Sequence, residues 1–148
     1  MLFRYFGQQA AWERKGFRFK MPIKLLDSTL VSLTISVYDW AHYTTSKGAV
    51  KMHTLLDYDC LLPEFMNITG GKRTDNKAAF DIEIKPHSIV VADRGYCDYG
   101  LLNYWDSNNV FYVGRHKDNI RYRTIEELPL PKQHTQNVLM DESIEFGL

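Results

Sequence analysis

The chain has only two cysteines, Cys60 and Cys97, and neither belongs to a CxxC pair or lies near a cluster of histidines. This scarcity argues against a zinc site and favours a reducing compartment. No apolar run approaches the roughly 20 residues that a membrane-spanning helix needs. The apolar start, residues 1–6, is short, contains Arg4 and lacks the small-residue cleavage site of a signal peptide. The sequence therefore predicts a cytoplasmic protein that does not associate with membranes.

An excess of charge is also missing. The 18 basic and 18 acidic residues give a net charge of zero, which argues against general nucleic-acid binding through bulk positive charge. The charge is nevertheless uneven, with acidic residues in excess over 25–109 and basic residues in excess over 1–24 and 110–123. An acidic centre beside basic segments suits a carboxylate site next to a phosphate-contacting surface, and equally suits ordinary surface variation.

The pattern of apolar residues predicts a single folded domain, since 45% of the 148 residues are hydrophobic. Alternation over 23–40 indicates two strands that bend near Asp27-Ser28, and 49–69 reads as a hairpin. The remaining pattern is helix, strand, helix, strand and a last strand, over 75–84, 88–93, 99–109, 110–123 and 136–146. This order predicts an α/β (α+β) fold, a mixed sheet with helices against it.

Two aspartates each interrupt an apolar strand. Asp27 follows 23–26 and Asp93 follows 89–92. A carboxylate there is costly unless it is hydrogen-bonded or binds a cation, and ligand sites gather where the strands of α/β sheets end. Two such strands side by side would place both carboxylates on one metal, and hard oxygen ligands select Mg²⁺ or Mn²⁺. Spacing alone, however, favours the alternative that each aspartate starts or caps a turn.

Five ordered blocks of sequence distinguish these alternatives. They are KLLDSTLVSL, W-A-x-Y-x-x-x-KGAVKMHTLLD, LPEFMNITGGK-x-x-D, SIVVADRGYCDYGLL and FYVGRHKDN. Together they resemble the DDE transposases of bacterial insertion sequences, most closely the fourth-numbered family with its Tyr-Arg-Glu-Lys motif. The resemblance implies an RNase H-like core over 21–125 that is incomplete at the C-terminus. It also implies that 1–20 is a remnant of a preceding region and that 126–148 begins a strand-rich insertion.

The resemblance further implies metal-dependent cleavage and transfer of DNA strands. Asp27 lies in the Asp-Ser-Thr block and Asp93 in the Asp-Arg-Gly-Tyr block, so both are the expected catalytic metal ligands for Mg²⁺ or Mn²⁺. The expected partner is DNA at transposon ends. Five cations are candidate phosphate contacts, although residues of this type are more often solvated surface: Lys47, Lys51, Arg94, Arg115 and Lys117.

The third carboxylate of this family, a glutamate on a helix, has no counterpart here. The chain is expected to end before that helix. Tyr112 and Arg115 match the start of its motif only by accident, since they lie in a strand pattern and Asn119 stands in the glutamate position. We therefore expect a partial catalytic domain that is inactive alone, and a sheet face left uncovered predicts a homo-oligomer. The alternatives are a non-catalytic DNA-binding or assembly module and, third, an RNase H-like nuclease with another acid.

Three further sets of polar residues have simpler interpretations. His53 lies on an apolar strand and is expected to be a hydrogen-bonded residue of the core. Asp57 and Asp59 are expected to shape the turn of the hairpin. Thr74 or Asp75 is expected to cap the helix that follows.

Overall fold

The computed structural model of the protein describes residues 17, 20–33, 48–119, 121–130 and 138–146. The chain divides into two compact units, one ending at Arg115 and one beginning at His116. The first contains the strands β1 (Ile23–Leu33), β2 (Gly48–Asp57), β3 (Pro63–Gly70), β4 (Ile89–Ala92) and β5 (Phe111–Gly114) and the helices α1 (Asp75–Ala79) and α2 (Tyr99–Ser107). The second contains β6 (Tyr122–Glu127) and β7 (Glu142–Phe146), which pair antiparallel.

The five strands of the first unit form one mixed sheet in the order β3-β2-β1-β4-β5. β1, β2 and β3 pair antiparallel, whereas β4 runs parallel to β1 and β5 runs parallel to β4. A parallel neighbour needs a crossover instead of a tight turn, and α1 and α2 lie in the chain before and after β4. The expected fold class, a mixed α/β sheet with flanking helices, is confirmed.

The predicted hairpin over 49–69 is also confirmed, but the predicted bend near Asp27-Ser28 is wrong. β1 continues from Ile23 to Leu33 because every residue from Lys24 to Leu33 has a partner on β2. A continuous ladder of this kind satisfies the backbone groups that a bend would leave unpaired.

Three other elements differ in length from their predictions. The first helix ends at Ala79, after which Asp81 and Ile82 donate their N–H groups three residues back, so the last turn tightens. The predicted strand over 110–123 divides into β5 and β6, which pair with different partners. The last strand, β7, is confined to the end of its predicted span.

The core lies on one face of the sheet. Leu26, Leu55 and Val90 are buried there, and α2 contributes Leu101 and Trp105. The Trp105 ring packs against Tyr112 on β5, with their centroids 6.2 Å apart. Residues three and four apart share one side of a helix, so the sequence prediction for this helix is confirmed.

The opposite face presents apolar side chains to solvent. Five apolar side chains there are 42–61% exposed to solvent. The strand register places all five on that face: Val31, Met66, Ile68, Phe111 and Val113. No helix in the described part of the chain is long and apolar enough to cross a membrane.

Candidate active site

The register of the parallel pair β1–β4 brings Asp27 and Asp93 together. Leu26 pairs with Ala92, and the two aspartates are the next residues along each strand. Both are exposed to solvent. Asp27 lies inside β1, where it pairs with Thr54 on β2, and it marks the end of the segment that β4 accompanies. The sheet therefore presents two carboxylates at neighbouring positions, at the edge where the parallel β1–β4 ladder ends.

Asp93 also shapes the turn that follows β4. Its Oδ1 accepts a hydrogen bond of 2.8 Å from the backbone N–H of Gly95, and Arg94–Tyr96 form a single 3-10 turn. The turn-capping interpretation thus applies to Asp93 but not to Asp27, which is within a strand. Because Oδ1 is held by Gly95, the orientation of the Asp93 carboxylate is fixed while the group stays exposed.

A third carboxylate, Asp75, lies beside Ser28, the residue after Asp27, and beside the turn that carries Asp93. Its Oδ1 accepts hydrogen bonds from Ser28 Oγ at 2.8 Å and from Lys51 Nζ at 3.0 Å. Its Oδ2 lies 3.3 Å from the point where a Cβ atom on Gly95 would stand, and Asp93 Oδ1 lies 2.9 Å from the same point. The sequence predicts a helix cap at Thr74 or Asp75. Thr74 occupies the cap position without a side-chain bond, and Asp75 instead reaches the sheet.

Two buried side chains adjoin the carboxylates. Burial raises the pKa of the Tyr96 hydroxyl, the Ser28 hydroxyl acts to lower it by a smaller amount, and the negative charges of Asp75, Asp27 and Asp93 add to the rise. Tyr96 therefore remains a neutral phenol at physiological pH. The neutral hydroxyl therefore adds no negative charge beside the three aspartates.

His53 is a buried histidine of the core, as the sequence predicts. Its Nε2 and Thr69 Oγ1 share a hydrogen bond of 3.0 Å. Its Nδ1 lies 3.9 Å from Asp75 Oδ1 and has no hydrogen-bond partner. Burial lowers the pKa of His53, and the charge of Asp75 offsets this only in part.

The candidate DNA contacts fall into three groups. Arg94 and Arg115 are exposed, and Arg115 directly follows β5, one position beyond the pairing of Gly114 with Ala92. Lys51 is paired with Asp75. Lys117 belongs to the second unit and is half-buried, and Lys47 lies outside the described residues.

The donors at this edge suit a hard divalent cation. Asp27 and Asp93 offer carboxylate oxygens, exposed to water, of the kind that Mg²⁺ and Mn²⁺ prefer. Within the described ranges, no group of three or more His, Cys, Asp or Glu side chains is arranged to hold a metal ion. The four glutamates near the end of the chain lie in the strands of the second unit: Glu126, Glu127, Glu142 and Glu145.

Comparisons with known proteins relate the chain to transposases. The family described as the transposase DDE domain matches residues 18–143. A protein of Geobacillus stearothermophilus, described as a transposase for insertion sequence element IS5377, is 26% identical over 134 residues, which are 90% of this chain and 35% of that protein. A protein of Sinorhizobium fredii, described as the transposase y4zB, is 28% identical over 105 residues, 71% of this chain and 29% of that protein.

The chain thus spans about a third of the length of these two relatives. Among solved structures, the piggyBac transposase synaptic complex with hairpin DNA aligns with a TM-score of 0.46 and 11% identity. That alignment covers 67% of this chain and 24% of the other.

Proposed function

This chain belongs to the family of transposase DDE domains, and from that premise we propose that Asp27 and Asp93 are metal ligands for phosphoryl transfer on DNA. The observation that carries the proposal is the parallel register of β1 and β4, which sets the two carboxylates at neighbouring positions. The ends of parallel strands are where ligands bind in α/β sheets.

Different residues of the chain would have separate roles in this reaction. Asp27 and Asp93 would hold a divalent cation and take no part as acid or base. Such a cation would supply Lewis-acid chemistry, lowering the pKa of a water or DNA 3′-hydroxyl and stabilising the leaving oxygen. The exposed guanidinium groups of Arg94 and Arg115, near the same edge, are suited to contact DNA phosphates. DNA is accordingly the proposed macromolecular partner.

We further propose that this chain alone cleaves DNA slowly or not at all. Among the described residues, Asp27 and Asp93 have no third metal-ligating side chain arranged with them. Two-metal catalysis of an in-line displacement needs ligands for both ions. A magnesium-dependent nicking assay tests this point, and rapid cleavage that Asp27→Ala abolishes would contradict the inactivity while supporting the metal site.

Metal binding tests the ligand assignment directly. We expect Asp27→Asn and Asp93→Asn each to weaken Mn²⁺ binding at least tenfold, because even the partners that orient metal ligands are worth 10–100-fold. Free Mn²⁺ is measured by electron paramagnetic resonance during titration of the full chain. Asp106→Asn, which removes one exposed carboxylate from α2, should leave the affinity unchanged. Equal affinity in all three variants would overturn the assignment.

The non-catalytic alternative gives a different result in a second assay. A DNA-binding or assembly module would retain DNA without added metal, with an affinity that salt lowers and that Asp27→Asn and Asp93→Asn leave unchanged. That result, together with unaltered Mn²⁺ binding, would replace the proposed function by the alternative.

The proposal includes a homo-oligomer, supported by the exposed apolar face of the sheet. Side chains such as Met66 and Ile68 are more than half exposed, and adjacent apolar groups in water favour association with a second copy. Light scattering tests this, and a monomer at high protein concentration would contradict it.

A further inference from the structure

We infer that Asp75 is a positioning residue that fixes the two segments carrying Asp27 and Asp93 relative to each other. The inference rests on the proposed function and extends it by a third carboxylate. Asp75 contacts strand β1 and strand β2 and lies against the turn after β4, so one side chain joins all three.

One oxygen of Asp75 holds the two antiparallel strands. Oδ1 accepts from Ser28 on β1 and from Lys51 on β2, which lie on the face of the sheet that α1 covers. Ser28 is the residue after Asp27, and side chains alternate along a strand, so Asp27 points to the opposite face. The bond from Ser28 to Asp75 therefore restrains the backbone of Asp27 and leaves its carboxylate available.

The other oxygen lies against the turn that carries Asp93. Oδ2 of Asp75 and Oδ1 of Asp93 both lie within 3.3 Å of the position that a Cβ on Gly95 would occupy. Only a glycine fits between two carboxylates at these distances without moving one of them. The turn thus packs directly on Asp75. Within the turn, the hydrogen bond from the Gly95 N–H to Asp93 Oδ1 keeps the Asp93 carboxylate oriented.

Asp75 is itself held in place. It is the first residue of α1, whose Ala78 and Ala79 are fully buried against the sheet. The next residue, Asn76, donates to Asp98 Oδ2 at 3.1 Å, and Asp98 caps α2. A carboxylate on a packed helix start keeps a defined position, which a residue that orients metal ligands requires.

Charge balance explains why a third carboxylate is tolerated beside Asp93 and the Asp27 segment of β1. Lys51 pairs with Asp75, and the side chains are only 20% and 23% exposed, so the ion pair is partly shielded from water. The lysine neutralises Asp75 and not the two exposed aspartates. The net negative charge that attracts a cation then remains at Asp27 and Asp93.

A matched pair of variants tests the inference. Asp75→Ala and Asp75→Asn lose the same charge, but Asn keeps an oxygen that accepts from Ser28 and Lys51. We expect Asp75→Ala to weaken Mn²⁺ binding by the full chain about tenfold or more, and Asp75→Asn to recover most of that loss. Mn²⁺ affinity is read by electron paramagnetic resonance, and thermal unfolding of each variant shows whether the fold persists.

The outcomes separate this inference from the proposed function. If Asp75→Ala and Asp75→Asn bind Mn²⁺ equally, or both bind as the unchanged protein does, the positioning role is overturned. If Asp27→Asn and Asp93→Asn also leave the affinity unchanged, the metal site fails with it. Should Asp75→Ala not fold, Ser28→Ala removes the same restraint on Asp27, and unaltered Mn²⁺ affinity in that variant would also overturn the role.

Discussion

Lys24 and Asp57 face each other across β1 and β2, and the Lys24 ammonium donates to Asp57 Oδ2 at 2.7 Å. Glu64 accepts a second bond of the same length from Lys24. Burial acts to lower the pKa of Lys24, but the bonds to both carboxylates and their charges outweigh it, so the pKa lies above its ordinary value. The lysine is therefore charged inside the sheet and depends on these two partners.

We predict unequal effects for the two carboxylates. Asp57→Ala should lower the free energy of unfolding by about 2–3 kcal/mol, since it leaves a buried charge with one partner. It also removes the acceptor of the Asp59 and Cys60 N–H groups in the hairpin turn. Glu64→Gln should cost less than about 1 kcal/mol because Glu64 is 39% exposed. Urea denaturation measures the free energy of unfolding of both variants. An equal loss would contradict the conclusion that Lys24 depends more on Asp57 than on Glu64.

The Lys24–Asp57 pair also predicts a pH dependence. Burial would raise the pKa of Asp57, but the bonds from Lys24 and Cys60 lower it below the ordinary 3.8. The unfolded chain then binds the proton more readily, so this stabilisation is present above pH 3.8 and is lost as the pH falls through the lower folded pKa. The stability difference between the unchanged protein and Asp57→Asn should accordingly shrink below pH 4.

His53 predicts a loss of stability at milder acidity. Its folded pKa lies below the ordinary 6.5 because burial disfavours the charged ring. The unfolded chain binds the proton first, so stability should fall as the pH drops below 6.5, by at most about 1.4 kcal/mol per pH unit. His53→Gln should remove that slope, whatever its effect at pH 8. His87→Asn, at an exposed position with positive φ, is the control and should retain the slope.

We predict that replacing Gly95 by alanine weakens metal binding more than it weakens folding. A Cβ at this position would stand 2.9 Å from Asp93 Oδ1, so Gly95→Ala must turn the Asp93 carboxylate away from the Gly95 N–H. We expect a cost of about 1 kcal/mol in stability and about a tenfold loss of Mn²⁺ affinity. Gly100→Ala, beside Asp98 on α2, serves as the control with unchanged affinity. Equal affinity in both variants would show that Asp93 orientation is unimportant.

Local patterns in the sequence predicted the elements whose contacts are local. The α2 helix follows from Leu101, Leu102 and Trp105 on one side and from Asp98, whose carboxylate accepts from the Leu101 N–H. The hairpin follows from alternation on both sides of a turn at Asp57. The bend expected at Asp27-Ser28 failed because pairing with β2 determines the course of β1, and that pairing is not visible in the local sequence.

The site itself was only partly predictable. Asp27 and Asp93 stand out because each follows an apolar run, and the resemblance to a transposase family assigned them a common role. Asp75 ends the block LPEFMNITGGK-x-x-D, but the resemblance gave it no role, its partner Ser28 is 47 residues away, and a helix cap explains an aspartate there equally well. Lys24 likewise looks like a surface residue until the register places it between Asp57 and Glu64.

The exposed arginines near the sheet edge lead to a prediction about DNA binding. Arg94 and Arg115 follow β4 and β5 and are exposed, whereas Arg73 is held by Asp81 at 2.8 Å. Each cation that contacts a phosphate releases counterions, so Arg94→Gln and Arg115→Gln should each reduce the slope of log affinity against log salt by about 1. Filter retention of duplex DNA between low and moderate salt measures the slope. Arg73→Gln should leave it unchanged because its charge is already paired. An equal reduction in all three variants would mean that binding follows net charge alone and that Arg94 and Arg115 do not form a specific contact surface.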